Sequence, residues 1–168
     1  MRHILTLLGL IFCSYCWTQT NSVGTKLEKL SKEFTSTEKS KDGNTMQSVF
    51  MTFKNDTLFI FDSKKLDNEQ YFTNSIYLIP VKEVEGFKYT EQAGESKRYC
   101  DLEIRTIDNM PSILQMTEIS ESPLKKLTID EEAPMFYDAN FKIKIALPVI
   151  NKTSLYTELE IILMTLLK

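Results

Sequence analysis

The side chains that most often make and break bonds are few in this chain of 168 residues: one histidine, His3, and three cysteines, Cys13, Cys16 and Cys100. A histidine beside a cysteine would give a base and a nucleophile, and cysteines clustered with it would begin a zinc site. Three of the four fall in one N-terminal stretch, MRHILTLLGLIFCSYCWTQTNS. Arg2 and His3 start it with positive charge, and Ile4 to Trp17 is uncharged and apolar apart from Thr6, Gly9 and Ser14. That run is shorter than the roughly 20 residues that span a bilayer. A basic start, a short apolar run and small residues before a cut form a secretory signal. Cys16 and Thr18 place the cut before Gln19, so residues 1–18 are read as the signal; Ser14 and Cys16 offer a second cut, before Trp17. Phe12 and Tyr15, which precede Cys13 and Cys16, are too large for a lipoprotein signal.

Removal of the signal deletes His3, Cys13, Cys16 and the sole tryptophan, Trp17. The expected mature form, Gln19 to Lys168, keeps Cys100 as its thiol. Without histidine there is no Ser-His-Asp or Cys-His constellation and no imidazole metal ligand. One cysteine makes neither a thiolate zinc site nor an internal disulfide. Gly24, Gly43, Gly86 and Gly94 lie too far apart to build a phosphate-cradling loop. No catalytic residue, cofactor, metal or disulfide is therefore expected. The densest carboxylate group, DEEAPMFYD at Asp130–Asp138, lacks the alternating oxygens and the glycine of a calcium loop. It reads as a solvated loop with Met135 and Phe136 tucked inward.

A formal net charge of −3 argues against a nucleic-acid surface, which needs clustered basic residues. The pairs Lys64-Lys65 and Lys125-Lys126 read as solvated turns. With 42% hydrophobic and 26% charged residues the chain is globular, and residues 19–168 suffice for a single domain with its own core.

The elements that would position any site follow from hydrophobic period. Thr25 and Glu28 fit a capping box, and Leu27, Leu30 and Phe34 follow at helical spacing, which predicts a short helix over 26–34. TSTEKSKDGNT reads as a loop. MQSVFMTF and TLFIFDS alternate on either side of Lys54-Asn55-Asp56 and form a hairpin. NSIYLIPV, EGFKYTEQ, RYCDLEIRTI, SILQMTEI and FKIKIALPV are further strands, with Val81 to Val84 as a single helical turn. In RYCDLEIRTI, Cys100, Leu102, Ile104 and Thr106 face a core, while Asp101, Glu103 and Arg105 face water. In FKIKIALPV, Phe141 shares the inward face with Ile143, Ile145 and Leu147. Ser120 to Asn140 reads as a long connection. The final stretch, from Asn151, is a helix capped by Asn151, Thr153 or Ser154, whose wide apolar surface, Ile161 and Met164 included, predicts burial on most of its surface.

The fold class expected is α+β: a curved antiparallel sheet or partly open barrel of about seven strands, with a short N-terminal helix and a packed C-terminal helix. That order resembles the pleckstrin-homology-like layout, in which a strand run is closed by a terminal helix. A lipocalin-like barrel is the alternative, although the Gly-x-Trp signature of that family is missing. The signal, ending just ahead of a glutamine, resembles those of small Gram-negative envelope and secreted proteins. The resemblance implies a secreted or periplasmic protein.

Phe59 and Phe61 fall opposite Leu58 and Ile60, so both faces of the first hairpin are apolar. One face builds the core. The other is expected to lie under the N-terminal helix, a ligand or a partner chain, and Phe59 and Phe61 are the candidate binding residues. The function expected is a non-catalytic binding or interaction domain for a protein, an envelope component or an apolar small molecule. It involves no nucleic acid, and the mature chain has no membrane span. The alternatives are a hydrolase using carboxylates alone and a structural, oligomerising envelope protein.

Overall fold

The computed structural model describes residues 23–40, 43–66, 68–93, 98–126, 136–148 and 153–167. The proposed signal, its cut, and residues 130–135 of the acidic stretch lie outside them. The fold is α+β. Among the described residues, nine strands form two antiparallel sheets, with a helix before them and another after them. The large sheet has six strands, in the order β1 (Thr35–Ser40), β2 (Gly43–Lys54), β3 (Thr57–Leu66), β4 (Phe72–Pro80), β7 (Ile113–Ser120) and β8 (Phe136–Asn140). The small sheet has three: β5 (Val84–Ala93), β6 (Arg98–Thr106) and β9 (Lys142–Leu147). The helices are α1, residues 23–31, and α2, Thr153–Leu166. No helix of the described residues is long and apolar enough to cross a membrane.

The strands do not close into one barrel. The chain passes between the sheets at Val81–Glu83, at Ile107–Asn109 and at Phe141. The first two are 3-10 turns, as expected at Val81. The sheets face each other across one core. Met51, Leu58, Ile60, Ile79 and Ile113 come from the large sheet, and Leu102, Ile104, Ile143, Ile145 and Leu147 from the small. Cys100 is part of that core and 1% exposed, as the alternation of β6 requires. A polar clasp joins the sheets at one margin. The Gln47 amide donates to Asp62 Oδ1 and to the Ala146 carbonyl, both at 2.9 Å, and Lys64 Nζ lies 3.0 Å from Asp62 Oδ2.

Two strands replace expected loops. β1 is all polar, and pairing with β2 from Thr35↔Ser48 to Ser40↔Gly43 makes it a strand. An edge strand held by its backbone pairing needs no apolar alternation. β8 likewise adds to β7 and shortens the connection that followed it. Phe141 is corrected as well. It sits at the crossing between β8 and β9, outside either strand, and is 50% exposed. The turn at Asn55-Asp56 takes φ of 51° and 57°, the left-handed pair that a two-residue hairpin demands.

The capping box at Thr25 does not form, because α1 is already helical at residue 23. The Glu28 carboxylate instead accepts from Thr52 Oγ1 at 2.7 Å. α1 lies along the part of β2 that β1 leaves open. There Val49 N–H donates to the Phe34 carbonyl at 2.9 Å, and Met51 N–H donates to Ser31 Oγ at 2.8 Å. The Ser31 hydroxyl in turn donates to the Leu27 carbonyl at 2.7 Å. The helix therefore completes a sheet edge that would otherwise invite another chain. Gly24 permits the approach, since a Cβ there would stand 2.8 Å from the Phe53 carbonyl oxygen. Ser31→Ala leaves the Met51 N–H buried without its acceptor, which costs about 1–3 kcal/mol. Urea unfolding should show that loss, and Ser31→Thr should recover much of it.

α2 is amphipathic rather than buried on most of its surface. Leu159, Ile162 and Leu163 enter the core, whereas Ile161 and Met164 are 63% and 44% exposed. One face packs beside β5 and α1, and nothing among the described residues covers the other.

Candidate functional site

Strand alternation puts Phe59, Phe61, Ser63 and Lys65 of β3 on the outer face of the large sheet, away from the shared core. Register then stacks neighbours beside them, pairing Phe50 with Phe61, Phe61 with Ile76 and Ile76 with Met116. Phe61, Ile76 and Met116 are buried, and Phe50, Phe59, Leu78 and Leu124 pack partly buried against them. The Phe50 and Phe61 rings lie 6.2 Å apart with a 47° tilt. This is a second apolar cluster, separate from the main core.

Its cover is not the one expected. Leu27 and Leu30 of α1, with Phe34 just past its end, pack on the opposite side, with Met51, Leu58 and Ile60. The reason is the open edge of β2, which offers backbone groups that only a neighbouring element on that side can satisfy. The outer face is crossed instead by the segment after β7. Leu124 N–H donates to Ser63 Oγ at 3.2 Å and brings the Leu124 side chain down onto the cluster.

Between that segment and the sheet runs a groove of about 650 Å³, within the usual range for small-molecule sites. Met46, Phe72, Pro123 and Leu124 give it apolar walls, and Lys125 and Lys126 stand at the rim. Lys65 Nζ is 5.4 Å from the Phe72 ring centroid and donates to the Gln70 carbonyl, which fixes one wall. Asn74 is fully buried in the same face. It donates to Ser120 Oγ at 2.9 Å, while its Oδ1 has no partner. Of the two lysine pairs, Lys64-Lys65 ends a strand rather than forming a turn, and Lys125-Lys126 is exposed. The groove was not legible in sequence because it forms between residues far apart in the chain. The one clue lay in Pro123-Leu124-Lys125-Lys126, an apolar and basic group inside a polar connection.

The carboxylates are placed elsewhere. Asp101 is buried at 7% exposure rather than facing water, with Lys144 Nζ 2.6 Å from its Oδ2. Glu103 bonds Lys142 at 2.9 Å and Arg105 at 3.1 Å. A pocket of about 300 Å³ beside them is lined by Glu85, Lys88, Glu103 and Arg105. A carboxyl pair for acid and base work needs one member held neutral. Glu103 moves the other way: the hydrogen bond from Lys142, then that from Arg105, holds its carboxyl below the ordinary glutamate value. A lowered folded value means the contribution is present above the unfolded value, about 4.3, and is lost as pH falls through the folded one. Glu103→Gln should therefore destabilise the protein at neutral pH and match the parent in acid. Paired urea titrations at the two pH values check this.

Two phenols are raised, so both remain protonated at neutral pH. For Tyr77 the cause is burial first, then the nearby Asp62, partly offset by Ser75. For Tyr89 it is burial first, then Cys100 and Glu160. Among the described residues, no group of three or more histidine, cysteine or acidic side chains could hold a metal ion.

No family model matches the chain, and no curated protein or solved structure is similar to it.

Proposed function

We propose that the protein is a non-catalytic binding domain, and that it takes an apolar ligand in the groove on the outer face of the large sheet. The observation that carries this reading is the groove itself: apolar walls at Met46, Phe72, Pro123 and Leu124, and a segment held over the sheet by the Leu124–Ser63 hydrogen bond and by the packing of Leu124 on the second hydrophobic cluster. Phe61 and Phe59 belong to the cluster on which Leu124 packs and do not line the groove themselves. A secreted or periplasmic location belongs to the same proposal and rests on the N-terminal pattern Met1 to Thr18, with its resemblance to Gram-negative envelope proteins. The pleckstrin-homology-like reading is likewise a proposal. Two facing antiparallel sheets followed by a terminal helix support it, while the return of β7 and β8 to the first sheet departs from a simple strand run.

Nile red, a neutral dye whose emission shifts to the blue in apolar surroundings, tests the groove. The purified protein should bind it at micromolar concentration. Met46→Trp, at an exposed position on the groove wall, should obstruct the groove and abolish binding with little change in the thermal midpoint. Absence of a blue shift, or a shift that Met46→Trp leaves intact, would refute the reading.

A further inference from the structure

We propose that the occupant of this groove is a monomeric, single-chain amphiphile with an anionic head, the head resting on Lys125 and Lys126. The inference builds on the binding reading above and adds the class of ligand. The lining of the groove holds two lysines and no acidic residue. The chain as a whole carries a net charge of −3, and three lysines of its sheets are ion-paired: Lys64 with Asp62, Lys142 with Glu103, Lys144 with Asp101. Lys65 is turned to the Phe72 ring. Glu121 precedes the segment and is exposed, but does not line the groove. Lys125 and Lys126 are exposed and line the groove, which places their charge beside an apolar trough.

A ligand that matches both features has an apolar tail and an anion at its end. The tail lies along Met46, Phe72 and Leu124, which removes methylene surface from water, and the head meets the lysines at the edge, where it stays partly hydrated. The size fits one chain. A volume of 650 Å³ is about 20 water volumes at ~30 Å³ each, room for one chain of roughly a dozen methylenes and its head. Lysine is a point charge without the planar fork of arginine, so it reads the charge of the head more than its shape. Carboxylate and phosphate heads should both be accepted.

Displacement of Nile red separates the parts. Dodecanoate and dodecyl phosphate, both below their micellar concentrations, should displace the dye at about tenfold lower concentration than dodecanol. Added salt should narrow that gap, because exposed charges are screened. The double variant Lys125→Gln/Lys126→Gln should erase the preference while leaving Nile red binding and the thermal midpoint in place. If dodecanol displaces as well as dodecanoate, or the double variant keeps the preference, the assignment of the head is wrong and the groove reading survives. If the dye never binds, the groove reading fails and this inference with it. Sedimentation with anionic vesicles, combined with no displacement by dodecanoate, would also overturn it in favour of a membrane surface.

Discussion

Phe34→Ala should unfold in urea well below the parent midpoint, with a loss of about 3–5 kcal/mol. Phe34 is fully buried just past the end of α1. Its ring stacks on Tyr156 of α2, with centroids 6.2 Å apart and planes at 29°. Around it lie Leu27 and Leu30 from the first helix and Leu159 and Leu163 from the last. Two elements from opposite ends of the sequence thus share one side chain, and truncation opens a cavity that neither helix can fill alone. The loss is large against the 5–15 kcal/mol that hold a typical domain together. Phe34→Leu keeps most of the volume and should cost much less. Hydrogen exchange gives a second readout, because amides of α2 should exchange faster although the substitution lies near α1. A loss under about 1 kcal/mol would mean that the two helices do not depend on this contact.

Phe61→Ala is the second large effect, also about 3–5 kcal/mol, and it carries information about the groove. Phe61 is 1% exposed in the cluster against which Leu124 packs, so truncation loosens the support of the covering segment. Stability and Nile red binding should fall together. Phe59→Ala, at a partly buried position beside the same cluster, should cost less. Met46→Trp gives the opposite separation, with binding lost and stability kept. If Phe61→Ala kept the parent midpoint but lost dye binding, Phe61 would be a ligand contact and the outer cluster would contribute little to the fold. Equilibrium urea curves at matched slope, run beside dye titrations, distinguish these outcomes.

The two clusters differ in how they are held. The main core is enclosed by both sheets and both helices. Among the described residues, the outer cluster has the large sheet on one side and the segment after β7 on the other, where the Leu124 N–H donates to Ser63 Oγ. Exposed backbone and few apolar contacts mark regions that open locally at low free energy. A ligand entering the groove would meet that segment first.

Strand positions were legible wherever apolar and polar residues alternate. β6 and β9 follow their period, and Cys100, Leu102 and Ile104 point where it sends them. Alternation says less about what covers a face. Asp101 and Glu103 do alternate away from the core, yet lysines from β9 lie over them, because a neighbouring strand supplies the opposite charge. Similarly, α1 was visible as an apolar stripe, but its docking site depends on where β1 stops pairing with β2, which no local period encodes.

By itself the amino-acid sequence determined the α+β class, most of the strands, the apolar character of both faces of the first hairpin, and the scarcity of catalytic side chains in the expected mature form. Those follow from residue type and short-range period, which act within a few positions along the chain. The tertiary structure alone decided the division into two sheets, the side of the hairpin that α1 covers, and the groove between Met46, Phe72 and the Leu124–Lys126 segment. These depend on backbone groups at strand edges finding partners and on contacts between residues more than fifty positions apart, such as Ser63 with Leu124, which only the folded chain brings together.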